Sequence, residues 1–136
     1  MNPILRNILA VVLSLILGSA INMGVILVSS SIIPPPEGVD NTTMEGLAAG
    51  MHLFEAKHFL FPFLAHALGT LVAATCVLAM VKKHQQKFAY GIGFIFLLGG
   101  ISNVLMLPSP TWFVITDLSL AYLPIAWLST KLISKK

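Results

Sequence analysis

The stretch "FLFPFLAHALGTLVAATCVLAMV", residues 59–81, contains no charged side chain. A helix of about 20 apolar residues is long enough to cross the hydrocarbon core of a bilayer, so this stretch predicts a transmembrane helix. Its one unusual member is His66, which lies well inside the apolar run. Three further runs of similar character, at residues 4–33, 88–107 and 112–129, predict three more spans.

The composition of the whole chain supports a membrane protein. Apolar residues make up 57% of the 136 residues and charged residues only 10%, whereas a soluble domain has about 25% charged residues. A soluble chain of this size could not bury so much apolar surface in one core. We therefore predict an all-α integral membrane protein with a single domain, residues 1–136, folded as a four-helix transmembrane bundle of two hairpins. The expected partner is the lipid bilayer and not a nucleic acid, although the net charge is +3.

The basic residues predict the orientation. With both termini on one side, that side holds seven of the eight basic residues, and only Lys57 lies in the loop of residues 34–58 on the other side. The positive-inside rule then predicts that both termini are cytoplasmic. The chain resembles, in general terms, the small four-span membrane proteins of bacteria, which implies a bacterial-type inner membrane. The seven basic residues on the predicted cytoplasmic side are Arg6, Lys82, Lys83, Lys87, Lys131, Lys135 and Lys136.

The first outer loop, residues 34–58, is longer than a hairpin needs. Its Thr42-x-x-Glu45 pattern is typical of a capping box at a helix start. An apolar stripe with helical spacing follows, which predicts a short amphipathic helix within residues 43–57. Such a helix would lie on the outer membrane surface or cover the outer end of the bundle. The stripe consists of Met44, Leu47, Ala48, Met51 and Phe54.

Two short segments suggest an internal repeat. "LGSAINM", residues 17–23, aligns with "LGGISNV", residues 98–104, at an offset of 81 residues. The alignment pairs Gly18 with Gly99 and Asn22 with Asn103. Because the first and third spans run in the same direction, this predicts a parallel duplication of one hairpin.

Each predicted span contributes one strongly polar side chain, and all four fit the outer half of the bilayer: Asn22, His66, Asn103 and Asp117. A carboxylate inside the hydrocarbon costs roughly 2.5–3.5 kcal/mol, and ionisable residues at this depth are functional candidates. We therefore predict that Asp117 pairs with His66 in a ligand-binding or proton-relay site, flanked by the two asparagines. The asparagines are equally typical of interhelical hydrogen bonds that only hold a bundle together.

The outer loop holds a second group of candidate residues. Glu55-x-x-His58 has the spacing of the half-motif found in di-iron bundles, and His52 lies nearby in the sequence. Imidazole and carboxylate suit zinc, iron or copper, so these three residues are candidate metal ligands. A solvated membrane interface explains the same residues without a metal, and the sequence identifies no cofactor.

Three classes of function remain open. The first is binding of a small ligand or ion at His66 and Asp117, with or without transport. The second is a non-catalytic subunit of a larger membrane complex, or a homo-oligomer, and the third is a membrane metalloenzyme. A non-enzymatic role is favoured because the chain has no Gly-rich phosphate loop, paired-cysteine motif or serine triad.

Trp112, Tyr122 and Trp127 are interpreted as interface anchors, and Pro124 predicts a kink in the fourth span.

Overall fold

The computed structural model describes residues 1–133, so Lys135 and Lys136 lie outside the described residues. Four apolar helices are long enough to cross a membrane, and they pack as a bundle. The predicted all-α fold is therefore confirmed. The helices are α1 (Pro3–Ile32), α3 (Leu60–Met80), α4 (Gln85–Met106) and a fourth span made of α5 (Thr111–Leu120) and α6 (Leu123–Ile133), with the short α2 (Met44–Gly50) between the first two.

The helix boundaries differ from the prediction by four residues at the end of the fourth span, which reaches Ile133 and not residue 129, and by three residues at the start of α4. The predicted span began at residue 88, the first apolar residue after the basic loop, but the helix begins at Gln85. The tight turn before it depends on His84, whose φ of 56° is left-handed. The Gln85 side chain then donates hydrogen bonds to the carbonyl oxygens of Leu78 and Val81, at 2.9 and 3.1 Å. These bonds satisfy carbonyls left free at the end of α3.

The fourth span is interrupted, as Pro124 predicts. Proline has no backbone N–H and its ring clashes with the preceding turn, so α5 ends at Leu120 and α6 begins at Leu123. The intervening pair, Ala121 and Tyr122, is buried. The break therefore turns a large polar aromatic side chain into the bundle.

Helix α3 is the centre of the bundle. It packs against α1, α4 and α6, whereas α1 has little contact with any helix except α3. Small residues allow the close approach of α1 and α3, as is typical of membrane helices: Gly18 lies directly against the Gly69 carbonyl and Ala73. The inner half of the core consists of Ala10, Ala73, Ala74, Val77, Leu78, Val81, Ala89 and Ile92.

The outer loop contains the predicted short helix, but its cap was assigned one residue too early. Thr43, not Thr42, is the N-cap of α2, and its hydroxyl accepts a hydrogen bond from the Gly46 N–H at 2.9 Å. Thr42 instead donates both its hydroxyl and its N–H to the Asp40 carboxylate. The hydroxyl bond, with help from the N–H, lowers the pKa of the Asp40 carboxyl below its ordinary value.

The loop covers the outer end of the bundle. Met51 and Phe59 are buried against Phe113 of α5, and Phe54 packs on the same cluster. Of the two positions that the sequence left open for the amphipathic segment, the structure therefore shows the covering one. The helical stripe was predicted too long, because α2 ends at Gly50 and continues as a 3₁₀ turn over Met51–Leu53. Met44, at its start, remains exposed.

Candidate functional site

His66 and Asp117 meet inside the bundle. His66 is six residues past the start of α3 and Asp117 six residues past the start of α5, so each lies about 9 Å along its helix. Both helices run away from the outer loop, and this equal depth brings the side chains together. The His66 Nδ1 atom is 2.7 Å from Asp117 Oδ1, so the predicted contact is confirmed. Asp117 is only 3% exposed.

Tyr122 is the third member of this cluster. Its hydroxyl donates a hydrogen bond to Asp117 Oδ2 at 3.1 Å, and its ring stacks on the His66 ring with centroids 5.8 Å apart. Both carboxylate oxygens therefore have a hydrogen-bonding partner inside the apolar bundle. We call these three residues, His66, Asp117 and Tyr122, the His–Asp–Tyr cluster.

The interpretation of Tyr122 as an interface anchor was wrong, because the side chain is 2% exposed and faces inward. Tyr122 lies five residues past Asp117, and a continuous helix would turn the two side chains apart by about 140°. The chain break ahead of Pro124 removes this constraint and lets Tyr122 reach back to the carboxylate. The sequence signal that could have found it is therefore Pro124, two residues later.

Helix α4 supplies the space that Tyr122 occupies. A Cβ atom built on Gly100 would lie 2.5 Å from the Tyr122 hydroxyl oxygen and 2.7 Å from Cζ. No side chain larger than hydrogen fits there without moving the phenol. Gly100 thus fixes the position of the hydroxyl that contacts Asp117.

The two asparagines are not part of this hydrogen-bonded cluster. Asn22 lies at the contact of α1 with α3, where its Cβ is 3.1 Å from the Cβ position of Gly69. Asn103 is half-buried on α4. Within residues 1–133 neither amide side chain forms a hydrogen bond to another residue, whereas His66 and Asp117 bond to each other. The environment of Asn22 is that of a packing residue between helices.

The aligned repeat segments also have different surroundings. Gly18 is buried against α3, but a Cβ on Gly99, its aligned partner, would meet nothing within 4 Å. It is the next glycine, Gly100, that makes a close contact in α4. The parallel repeat therefore remains a prediction from the sequence, without equivalent packing at this pair of positions.

The spacing of Glu55 and His58 has a structural explanation. The two residues form a capping box around the 3₁₀ turn Ala56–Phe59, in which His58 Nδ1 accepts a hydrogen bond from the Glu55 N–H at 2.8 Å. His52 is exposed in the preceding 3₁₀ turn. Over residues 1–133, no three His, Cys, Asp or Glu side chains are grouped so that they could hold a metal ion. The metal role of the weak candidates His52, Glu55 and His58 therefore remains a prediction from the sequence, and the structure gives their spacing another explanation, the capping box.

The cluster has the parts of a proton-binding site. Asp117 Oδ1 engages Nδ1 of His66, which fixes the ring and leaves Nε2 as the second ring nitrogen. No described residue forms a hydrogen bond to Nε2, and the His66 side chain keeps 16% of its surface exposed. A neutral imidazole held through Nδ1–H presents Nε2 as an acceptor. Addition of a proton there produces an imidazolium beside a carboxylate.

No family model, curated protein or solved structure matches this chain.

Proposed function

We propose that this multi-pass membrane protein binds and releases a proton at His66, with Asp117 as the counter-ion and Tyr122 as the second donor to the carboxylate. The observation that carries the proposal is the pairing of both Asp117 oxygens, one with His66 Nδ1 and one with the Tyr122 hydroxyl. This arrangement leaves His66 Nε2 free to exchange a proton. In the first class of function, binding of a ligand or ion, the ion is then a proton. Transport would follow if the site opens to the two sides of the membrane in turn.

The chemistry of the two side chains supports this assignment. Histidine is the side chain whose ordinary titration falls between pH 5 and 8. A buried carboxylate is costly in a membrane, roughly 2.5–3.5 kcal/mol on insertion scales, and hydrogen-bond donors offset that cost. An adjacent imidazolium stabilises the charged carboxylate, while desolvation disfavours it. The protonation of the two groups is therefore coupled.

The test of the proposal is nuclear magnetic resonance of the intact protein in micelles, with ¹⁵N-labelled histidine. In spectra recorded from pH 5 to 8, Asp117→Asn is expected to change the ¹⁵N shift and the proton exchange of His66 Nε2, because the counter-ion charge is removed while the shape is kept. His52 and His84, which are exposed, serve as internal controls whose signals Asp117→Asn should leave unchanged. A His66 ring that keeps one protonation state throughout this pH range would contradict the proposal.

We also propose that both termini are cytoplasmic in a bacterial-type inner membrane, which places the cluster in the outer half. The described basic residues at the end of the bundle where α1 begins and α6 ends are Arg6, Lys82, Lys83, Lys87 and Lys131. The acidic residues of the loop, Glu37, Asp40, Glu45 and Glu55, lie at the other end. Proton exchange at His66 would then occur from the outer side.

Cysteine labelling tests this orientation on a background in which Cys76, the only cysteine, is replaced. A cysteine at position 40 is expected to react with a membrane-impermeant maleimide added to intact cells. A cysteine at position 83, in the exposed inner turn, is the control and should react only after the membrane is opened. The reverse pattern would place the termini outside.

A second role, as a subunit of a larger membrane assembly or as a homo-oligomer, is supported by the packing of α1. This helix contacts chiefly α3, and its remaining surface is apolar and exposed, as at Ile16, Met23 and Leu27. Lipid or a second transmembrane helix could cover that surface. Native mass spectrometry from mild detergent distinguishes the two by the mass of the particle.

A further inference from the structure

A groove separates α1 from α4 near the inner end of the bundle. It encloses about 250 Å³. The space beside Gly91 is open, because a Cβ there would meet nothing within 4 Å. Apart from one lysine its lining is apolar: Val11 from α1, and Lys87, Phe88, Gly91, Ile92 and Ile95 from α4.

The charge at the inner end of this groove has no partner among residues 1–133. Lys87 forms no ion pair there, since the two pairs in that part of the chain are Lys57–Glu55 and His66–Asp117. The four acidic residues of the outer loop lie at the far end of the bundle. Within the described residues, no carboxylate therefore offsets the cation of Lys87.

Arg6 is not part of the groove. Arg6 is five residues before Val11 and Lys87 is five residues before Ile92, and α1 and α4 run in the same direction, so the two cations lie at similar depth. Five residues turn a helix by about 140°, which puts Arg6 on a different side of α1 from Val11. Lys87 is therefore the one cation among the lining residues.

We propose that this groove binds an anionic phospholipid. One acyl chain lies along Val11, Ile92 and Ile95, and the phosphate accepts a hydrogen bond from Lys87. Basic pockets between transmembrane helices suit anionic head groups, and hydrogen bonds between an ammonium group and phosphate oxygens are among the strong ones. The groove is at the opposite end of the bundle from the His–Asp–Tyr cluster, so this inference goes beyond the proposed function.

The experiment compares charge variants of the full chain in nanodiscs of phosphatidylcholine containing a small fraction of spin-labelled phosphatidylglycerol. Lys87→Gln is expected to weaken retention of the labelled lipid about tenfold, the effect of losing one hydrogen bond between charged groups. Lys83→Gln is the matched control, because Lys83 is an exposed lysine at the same end that does not line the groove. Equal losses in the two variants would show unspecific surface attraction and overturn the proposal.

Two further arms test the groove and the source of the phosphate. Gly91→Leu keeps every charge but fills the groove, and it is expected to weaken retention at least as much as Lys87→Gln. Because Gly91 has open space around it, this variant should still fold. Retention unchanged in Gly91→Leu would show that the acyl chain is not held there.

Inorganic phosphate is expected not to displace the lipid, and displacement at equal concentration would identify a site for free phosphate instead.

Discussion

Gly18→Ala is expected to force α1 away from α3, whereas Gly24→Ala leaves the bundle intact. A Cβ on Gly18 would lie 2.6 Å from both the Gly69 carbonyl oxygen and the Ala73 Cβ, while a Cβ on Gly24 would meet nothing within 4 Å. The neighbours of Gly18 belong to the backbone or attach directly to it, so they cannot move without shifting α3. Overpacking of this kind costs typically about 1–3 kcal/mol.

The two variants are a matched pair because the chemical change and the helix are the same. Each gains about 1 kcal/mol in intrinsic helix propensity over glycine, so the difference between them isolates the steric cost. Unfolding in mixed micelles of increasing dodecyl sulfate content, followed by tryptophan fluorescence, should place Gly18→Ala about 1–3 kcal/mol below Gly24→Ala. Equal stabilities would mean that α1 does not pack on α3 as described.

Gly100→Ala is expected to break the hydrogen bond between Tyr122 and Asp117. The added methyl group would lie 2.5 Å from the hydroxyl oxygen, and the Tyr122 ring is itself buried and stacked on His66. Displacement of the hydroxyl leaves Asp117 with one donor fewer in an apolar environment. Loss of a partner by a buried polar group costs about 1–3 kcal/mol.

Gly99→Ala is the control for this prediction, since the position is adjacent on α4 but open. It should match or exceed the stability of the natural protein. The same unfolding assay can include Tyr122→Phe and the double variant Gly100→Ala/Tyr122→Phe. Because both single changes remove the same hydrogen bond, their costs should add to more than the cost of the double variant. Fully additive costs would show that Gly100 acts on something other than the Tyr122 hydroxyl.

The candidate site could be predicted in part. An aspartate and a histidine in otherwise apolar spans are few enough that their pairing follows from depth alone, and the structure places His66 and Asp117 in contact. Tyr122 was not predicted, because an aromatic residue near a span end is typical of interface anchoring, and Pro124 alone predicts a break but not the direction in which the neighbouring side chains turn. The chain break that turns it inward depends on how α5 and α6 pack.

The outer loop illustrates the same limit. The i, i+3 spacing of Glu55 and His58 is compatible with a metal site, a solvated surface and a helical cap, since all three use the same side-chain atoms. The structure shows the cap, with His58 Nδ1 already bonded to a backbone N–H. In the same way, Thr42 and Thr43 both precede a helical stripe, and the bond of Thr42 to Asp40 leaves the cap to Thr43.

The sequence by itself determined that the chain forms four apolar helices with a short helix after the first, and that the fourth breaks near Pro124. These properties depend on hydrophobic length and on local backbone chemistry, which each segment carries alone. Only the tertiary structure decided that α3 is the central helix and that Tyr122 joins His66 and Asp117. It also decided that neighbouring atoms occupy the space beside Gly18 and Gly100, whereas the space beside Gly24 and Gly99 is open. In a bilayer every helix face is apolar, so hydropathy cannot distinguish the face that meets another helix from the face that meets lipid.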